Sequence, residues 1–301
     1  MYVITGATGH TGNIVARRLL SEGKEVRAVG RHQERLQSLV EAGAKPFVCD
    51  LADPVGLGKA FAGAEAVYIM IPPETTTANF RAFQDRITDS VVSALTAARV
   101  KYAVLLSSVG ADKSSKTGPV VGLYNLEKRL GTISGLNVLS LRAGYFMENT
   151  LSQAMAIHAM EKAAGPVRPD LKLPLIASRD IGQVAAEALL RLDFRGQQTR
   201  ELLGQRDLNY IEIAEIIGQA IAKPDLKYVQ LSDTEFRGFT AKVGMSADFA
   251  NLILEMVAAM NSGHMRAQET RSARNTTPTS FETFVEEEFV PVYEAPMAAR
   301  A

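Results

Sequence analysis

Short apolar stretches alternate with longer amphipathic stretches through the first half of the chain. Each short stretch is rich in valine, isoleucine, leucine or tyrosine and is brief enough for a β-strand. The clearest examples are Tyr2–Thr5, Glu25–Val29, Ala66–Ile71, Tyr102–Leu106 and Asn137–Leu141. Strands that are apolar throughout, with helices between them, predict a parallel sheet that is covered on both faces. Right-handed crossovers then give a doubly wound α/β fold.

The intervening stretches, and most of the second half of the chain, show the three-to-four-residue spacing of amphipathic helices. Ser178 and Ser246 stand where helix N-caps are expected, and a last short helix is predicted over 280–289. The methionines and aromatic residues in these helical stripes are interpreted as core residues. We predict three parts in chain order: an α/β domain, residues 1–225, a smaller and mostly helical substrate-binding lobe, residues 226–293, and a flexible tail, residues 294–301.

The composition is that of an ordinary soluble protein, with 47% hydrophobic and 22% charged residues. The 33 basic and 33 acidic residues balance, so no charge excess points to nucleic acid or to an anionic membrane surface. No apolar run reaches the length of about 18 residues that predicts a membrane span, and the start lacks the features of a secretory signal. A single cysteine, Cys49, excludes an internal disulfide and a cysteine-based zinc site. We expect a cytoplasmic protein that binds neither nucleic acid nor membrane.

The first strand runs directly into the segment Gly6-Ala7-Thr8-Gly9-His10-Thr11-Gly12. Gly6 permits a tight turn, Gly9 lets the backbone approach a phosphate, and Gly12 lets the following helix pack closely on the strand. The N-terminus of that helix offers free N–H groups and a partial positive charge to an anion. The pattern predicts a Rossmann-type domain that holds the pyrophosphate of NADPH or NADH; a glycine turn without a ligand is the alternative. The expected contacts are Gly6, Thr8, Gly9, His10, Thr11 and Gly12.

The end of the second strand distinguishes between the two cofactors. NAD-binding domains usually place an acidic residue there, which bonds the ribose 2′-hydroxyl. This sequence has Val29-Gly30-Arg31-His32 instead, with Arg35 one helical turn further on. Two guanidinium groups suit the 2′-phosphate of NADP. We therefore predict NADP and leave NAD open; the alternative is that Arg31 is a solvated residue with no ligand.

The ends of the later strands offer further contacts at the edge where open α/β sheets bind ligands. Asp50, after the third strand, can accept a hydrogen bond from the adenine amino group. The fourth strand ends in two prolines that suit the nicotinamide-ribose side, and the fifth ends in two serines. Simple turns or caps are the alternative for each segment. The candidate contacts are Asp50, Leu51, Ile71, Pro72, Ser107 and Ser108.

With these motifs the chain resembles the NmrA-like group of atypical short-chain dehydrogenases/reductases. The residues that carry the resemblance are Gly6–Gly12, Gly30-Arg31, Ser107-Ser108, Ser134–Leu136, Leu141–Asn149 and Pro278–Phe281. The resemblance extends over most of the chain and implies the fold and a dinucleotide cofactor, but no particular substrate. The group includes NAD(P)H-dependent reductases of quinones and dyes. It also includes regulatory proteins that bind the dinucleotide and have no known turnover.

The segment after the predicted sixth strand has one departure from the family pattern. Ala143 stands where the family has proline, and a proline lost at a loop start should be tolerated. The resemblance implies that Tyr145, Phe146 and Asn149 face the nicotinamide and the substrate.

Reductases of the wider superfamily use a Tyr-x-x-x-Lys pair, and this chain has Tyr124 and Lys128 at that spacing. The lysine holds the ribose and lowers the pKa of the tyrosine, which then donates a proton. One of the two serines at the end of the fifth strand would be the accompanying hydroxyl. By this resemblance Tyr124 and Lys128 are the catalytic candidates. The alternative is chance spacing, with Glu127, Lys128 and Arg129 as a surface charge cluster and direct hydride transfer to an electron-poor acceptor.

The expected function is an NAD(P)H-dependent oxidoreductase that transfers hydride to a small electron-accepting substrate, quinone-like or carbonyl. A fairly apolar substrate is expected because the lobe is apolar and no charge cluster marks an anion site. Two alternatives stay open. One is a non-catalytic NAD(P)-binding redox sensor with a protein partner. The other is a sugar-nucleotide epimerase or dehydratase, whose basic residues would be Arg237, Lys242 and Arg266.

The four histidines, His10, His32, His158 and His264, lack metal-ligand spacing, so no metal is expected. A second copy of the chain stays open as a partner.

Overall fold

The computed structural model describes residues 1–295. The predicted tail, residues 294–301, lies outside them apart from its first two residues. The strands are β1 (Tyr2–Ile4), β2 (Val26–Gly30), β3 (Lys45–Val48), β4 (Ala66–Ile69), β5 (Tyr102–Ser108), β6 (Asn137–Ala143), β7 (Tyr145–Phe146), β8 (Ala163–Gly165), β9 (Leu173–Ile176), β10 (Gln197–Leu202), β11 (Asp207–Leu208) and β12 (Tyr228–Gln230).

The helices follow the amphipathic stretches of the sequence. They are α1 (His10–Ser21), α2 (Gln33–Glu41), α3 (Pro54–Phe61), α4 (Phe80–Ala98), α5 (Val120–Leu130), α6 (Gln153–Met160), α7 (Ser178–Arg191), α8 (Tyr210–Ala220), α9 (Asp233–Lys242), α10 (Ala247–Asn261), α11 (Phe281–Phe284) and α12 (Val290–Glu294). A 3₁₀ segment, Met147–Ser152, precedes α6, and a π-helical segment, Val285–Phe289, joins α11 to α12.

Seven parallel strands form the central sheet, in the order β10-β6-β5-β4-β1-β2-β3. The chain moves outward in one direction from β1 to β3 and then in the other from β4 to β10, which is the doubly wound Rossmann arrangement. Helices α1, α2 and α7 cover one face, around Ile4, Leu19 and Leu189. Helices α3, α4 and α5 cover the other, around Val67 and Val91. The predicted fold class is confirmed.

All five strands predicted with bounds are present, and each end lies within two residues of its predicted position. The strand β10 was not predicted. Its sequence, Gln-Gln-Thr-Arg-Glu-Leu, has no apolar run, and only Glu201 and Leu202 within it are buried. The first four residues of this edge strand are not buried, so they need no apolar side chains.

The two predicted N-caps have different outcomes. Ser246 caps α10, since its hydroxyl accepts the N–H of Phe249 at 3.1 Å. The prediction for Ser178 is wrong by one residue, because Ala177 is the N-cap of α7 and offers no side-chain hydrogen bond. Instead the carboxylate of Glu148 accepts the Ser178 N–H at 2.8 Å. A side chain from a distant segment therefore satisfies the N-terminus of this helix.

The smaller lobe has a core drawn from several separate segments of the chain. Met147, Tyr210, Ile213 and Phe281 are all buried within one cluster. Two small sheets support it, with the orders β11-β9-β7 and β12-β8. The core therefore takes in residues on both sides of the predicted boundary at residue 226. Within residues 1–295, no helix combines the length and the apolar character that a membrane span requires.

Candidate cofactor and substrate site

The sequence-predicted cofactor residues lie in the loops that follow β1 to β6 or at the ends of those strands. Because these strands are parallel, their carboxyl ends meet at one edge of the sheet. The residues at this edge are the Gly6–Gly12 loop, Arg31, Asp50, Leu51, Ile71, Pro72, Ser107, Ser108, Tyr145, Phe146 and Asn149. Arg35 stands in the first turn of α2. The topology therefore brings together residues that are far apart in sequence.

The glycine loop has the conformation that its sequence predicts. Gly6 has a φ of +59°, a left-handed value that favours glycine. A Cβ on Gly12 would stand 2.3 Å from the carbonyl oxygen of Gly6, so the start of α1 rests directly on the loop backbone. A Cβ on Gly9 would meet only that same oxygen, at 3.3 Å. Packing within the protein therefore requires glycine at position 12, whereas position 9 is exposed and open to a ligand.

The N-terminus of α1 is free of a side-chain cap and of acidic residues in its first turn. The first turn of a helix has N–H groups without partners inside the helix. The side chain of Thr11 is buried, and its hydroxyl accepts a hydrogen bond from the Tyr68 hydroxyl at 2.9 Å, which fixes the loop to β4. Thr8 and His10 are exposed beside it. This arrangement is a cradle that offers free backbone N–H groups to an anion.

Arg31 is half exposed at the end of β2, and its Nη1 lies 3.5 Å from a carboxylate oxygen of Glu74. Glu74 follows β4 and was not considered from the sequence. Arg35 is exposed and has no ion pair among residues 1–295. The two guanidinium groups therefore stand at the edge where a 2′-phosphate is expected, and one of them already has a weak carboxylate partner.

The remaining strand-end residues divide between the surface and the core. Asp50 is exposed, and one of its carboxylate oxygens accepts the Ala52 N–H at 2.8 Å. Leu51 is buried in the core, and Ile71 packs against the same cluster. Pro72 is half-buried.

The alternative interpretation of the Tyr-x-x-x-Lys segment placed Glu127 in a surface charge cluster with Lys128 and Arg129. The structure places Glu127 in an internal ion pair instead. Its carboxylate accepts two hydrogen bonds from Arg142, at 2.6 and 3.1 Å, and one from the Ser107 hydroxyl at 2.5 Å. Burial by itself would lower the pKa of Arg142, but the hydrogen bonds and charge of Glu127 raise it overall. The hydroxyl of Ser107 is therefore committed to an internal ion pair.

The candidate catalytic residues Tyr124 and Lys128 are neighbours on α5. The Lys128 Nζ lies 5.5 Å from the centroid of the Tyr124 ring, and the lysine is exposed. Neither side chain lines either of the two cavities described next.

Two cavities open beside the carboxyl edge, between the sheet and the smaller lobe. The first, of about 520 Å³, is lined at the sheet by Ser108, Gly144 and Phe146 and opposite by Arg266. The second, of about 500 Å³, is lined by Pro73 and by apolar residues of the lobe that include Phe236, Phe239, Phe249 and Ile253. Tyr145, Asn149, Met256 and Met260 line both cavities and form the wall between them.

Tyr145 belongs to a cluster of three tyrosines. Its hydroxyl lies 2.9 Å from the hydroxyl of Tyr210, whose ring stacks on Tyr228 at 4.4 Å between centroids. The hydroxyl of Tyr228 donates to the carbonyl of Val167 at 2.9 Å. Burial raises the pKa of Tyr145 above that of an ordinary tyrosine. These hydroxyls are therefore neutral donors at physiological pH.

Sequence reasoning missed Tyr210, Met256 and Met260 because their helical spacing is that of a core stripe. The same spacing arises whether a stripe faces the core or a cavity. No cluster of three or more histidine, cysteine, aspartate or glutamate side chains in the described part of the chain is arranged to hold a metal ion.

The sequence profile of the NmrA-like family matches residues 2–285. The chain belongs to the NmrA-like family. It is similar to an NAD(P)H azoreductase of Xenophilus azovorans, with 26% identity over 259 residues that cover 86% of each protein. Its fold is also that of the NADPH-dependent quinone oxidoreductase of Escherichia coli, solved with NADPH bound, with a TM-score of 0.80 and 24% identity over 96% of this chain and 100% of the other. The Citrobacter triphenylmethane reductase, solved with NADP(H), has a TM-score of 0.78 and 19% identity over 95% and 99% of the two chains.

Proposed function

We propose that this protein is an NAD(P)H-dependent oxidoreductase that transfers hydride to a small, electron-accepting substrate, either quinone-like or carbonyl. The observation that carries the proposal is the uncapped α1 N-terminus on a loop where a Cβ at Gly12 would strike the Gly6 carbonyl. This cradle opens at the same sheet edge as the two cavities beside Tyr145. A dinucleotide held there has room for a second molecule next to it.

The related proteins support this proposal by their names. The azoreductase, the quinone oxidoreductase and the triphenylmethane reductase are all reductases, and two of them were solved with NADPH or NADP(H). We draw from them a class of reaction rather than a particular substrate.

The residues present fit a dinucleotide. Backbone N–H groups of residues 10–12 would bind the pyrophosphate, and Arg31 with Arg35 would bind a 2′-phosphate. Asp50 would meet the adenine, and Tyr145, Phe146 and Asn149 would lie on the nicotinamide side. The bound cofactor supplies the hydride; the protein orients the acceptor and keeps water from it.

Tyr124 and Lys128 remain our candidates for the superfamily proton donor and its partner. One observation favours the alternative of a non-catalytic redox sensor: the hydroxyl of Ser107, one of the two serines that could complete that catalytic set, is bonded to Glu127. Steady oxidation of NADPH by any acceptor would exclude the sensor.

The test is calorimetric titration of the protein with NADPH and with NADH. We expect NADPH to bind more tightly, and Arg31→Ala to lose affinity for NADPH by about tenfold or more while leaving NADH unchanged, because a hydrogen bond to a charged group contributes about 1.5–3 kcal/mol. Glu74→Gln is the matched variant. It frees Arg31 from an exposed ion pair worth at most about 1 kcal/mol and should tighten NADPH binding a few-fold. If neither dinucleotide binds, the proposal is wrong.

A further inference from the structure

Tyr145 stands at the junction of the two cavities, and its position is fixed by the backbone. It directly follows Gly144, where a Cβ would lie 2.3 Å from the carbonyl oxygen of Pro174, so the chain passes very close to β9 at this point. Strand β7 then pairs with β9, with Tyr145 opposite Leu175. The side chain therefore lines both cavities from a short strand that is paired with β9.

Tyr210 holds the Tyr145 hydroxyl. Tyr210 is only 3% exposed and begins α8, which carries a complete capping box between Asn209 and Glu212. Its ring stacks on that of Tyr228, and the Tyr228 hydroxyl donates its hydrogen bond to the carbonyl of Val167. Two hydroxyls in contact have two hydrogens, of which one lies between the oxygens. The second hydrogen is left for another acceptor, and both hydroxyl-bearing rings line the second cavity.

We infer that Tyr145 is a catalytic hydrogen-bond donor to the oxygen of a quinone or carbonyl acceptor, and that Tyr210 is the residue that positions it. The inference rests on the proposed function. As the acceptor receives the hydride, the electron pair of its C=O π-bond moves onto oxygen, and the Tyr145 O–H stabilises this negative charge. A proton from the candidate donor Tyr124 or directly from solvent completes the reduction, so one acceptor, one hydride and one proton give one reduced product.

The arrangement suits a donor that stays protonated. Burial raises the pKa of Tyr145, so the hydroxyl remains neutral across the physiological range. A fixed donor beside the place where charge develops stabilises that charge without reorganising at the moment of reaction. Loss of one such donor slows enzymes that generate an oxyanion by about 10²-fold or more.

The role predicts a dependence on the kind of acceptor. A cationic triphenylmethane dye becomes neutral when it accepts hydride, and no oxygen gains negative charge. Such an acceptor needs the cavity but not the hydroxyl. Tyr145→Phe keeps the ring and removes only the oxygen, so it separates the two requirements.

The experiment measures NADPH-dependent kcat and KM of the full-length protein with a benzoquinone and with a cationic triphenylmethane dye. We expect Tyr145→Phe to lower kcat for the quinone by about 10²-fold and to leave the rate with the dye within about twofold. Tyr210→Phe should give a smaller loss that is also confined to the quinone. Tyr228→Phe is the matched control, because it keeps the stacked ring while the lost hydroxyl bonds Val167 and not the pair; both of its rates should stay near wild type.

Three results would overturn the assignment: equal losses with both acceptors, no loss with either, or a quinone-selective loss in Tyr124→Phe but not in Tyr145→Phe. If the wild type reduces only the dye, the assignment also fails. If it reduces only the quinone, a kcat of Tyr145→Phe far below that of Tyr228→Phe supports the assignment, and equal values overturn it. A wild type that binds NADPH but reduces neither acceptor overturns the proposed reductase as well. Melting temperatures of the variants identify any loss due to unfolding.

Discussion

Replacement of Gly12 by alanine tests whether the glycine loop is built by contact between α1 and the loop backbone. The new Cβ would lie 2.3 Å from the Gly6 oxygen, 2.8 Å from the Gly6 carbonyl carbon and 3.2 Å from the Ala7 Cα. The first distance is more than 1 Å short of the 3.4 Å at which ordinary contact begins. All three atoms belong to the main chain, so no side-chain rotation relieves the overlap, and the helix must move away from the loop.

The expected cost has two parts. Overpacking of this kind destabilises folded proteins by about 1–3 kcal/mol, which lowers the melting temperature by several degrees. Displacement of the loop also misaligns the N–H groups that would bind the pyrophosphate. Since hydrogen bonds to charged groups contribute about 1.5–3 kcal/mol each, loss of one weakens dinucleotide binding about 10- to 100-fold.

Two other glycines provide matched controls. A Cβ at Gly9 meets only one atom, at 3.3 Å, so Gly9→Ala should melt near wild type. It should nevertheless weaken dinucleotide binding, because the methyl group would face the proposed pyrophosphate site. A Cβ at Gly58, inside α3, meets nothing within 4 Å, so Gly58→Ala should stabilise the protein by about 0.5–1 kcal/mol and leave binding unchanged.

The assays are thermal unfolding and calorimetric titration with NADPH on all three variants. If Gly12→Ala melts and binds like the wild type, the close contact between α1 and Gly6 is not a constraint. If Gly9→Ala leaves binding intact, the pyrophosphate does not approach this part of the loop.

Three further predictions concern other parts of the chain. The buried carboxylate of Asp180 accepts hydrogen bonds from the N–H and the hydroxyl of Thr279, at 3.0 and 2.7 Å. Asp180→Ala should therefore lower the free energy of unfolding, measured in denaturant, by about 1–3 kcal/mol, and an unchanged midpoint would contradict this. Burial, and secondly the charge of Glu148, raise the pKa of Glu288, so the folded state holds this proton more tightly and loses stability as pH rises above 4.5. Glu288→Gln should therefore raise the melting temperature relative to wild type at pH 7 but not at pH 4, and the opposite order would refute the assignment. Burial raises the pKa of Cys49 to about 11, so a disulfide reagent at pH 8 should modify the native thiol far more slowly than the denatured one.

Features set by local sequence were predictable. The apolar strands and the Gly6–Gly12 turn follow from neighbouring residues and from the rules for parallel sheets, so the fold was predictable, and the same rules give the carboxyl edge of the sheet as the expected place of the candidate site. The edge strand Gln197–Leu202 was missed because it has no apolar run, and its partner β6 lies more than fifty residues earlier. The capping of α7 by Glu148 was missed for a related reason, since the carboxylate comes from 30 residues away in sequence.

The cavities were beyond the reach of sequence patterns. Tyr145 and Tyr210 are 65 residues apart, and nothing in either local sequence indicates that their hydroxyls meet. The stripe that contains Met256 and Met260 has the periodicity of a core helix, and these residues do pack against the lobe core while they also line both cavities. Periodicity shows which face of a helix is covered, but not whether a core or a ligand covers it.

The position of Glu127 changes how the Tyr-x-x-x-Lys segment is interpreted. Ser107 on β5 lies opposite Arg142 on β6, so the register of the sheet presents a hydroxyl and a guanidinium side by side to the same carboxylate on α5. Successive residues of a strand point to opposite faces, and Ser108 lines the first cavity while Ser107 bonds Glu127. The superfamily arrangement, in which a serine hydroxyl assists a tyrosine on α5, is therefore only partly reproduced here. The hydroxyl group held between the two cavities is supplied instead by β7, which is why the acceptor-dependent effect of Tyr145→Phe distinguishes this site from one that relies on Tyr124.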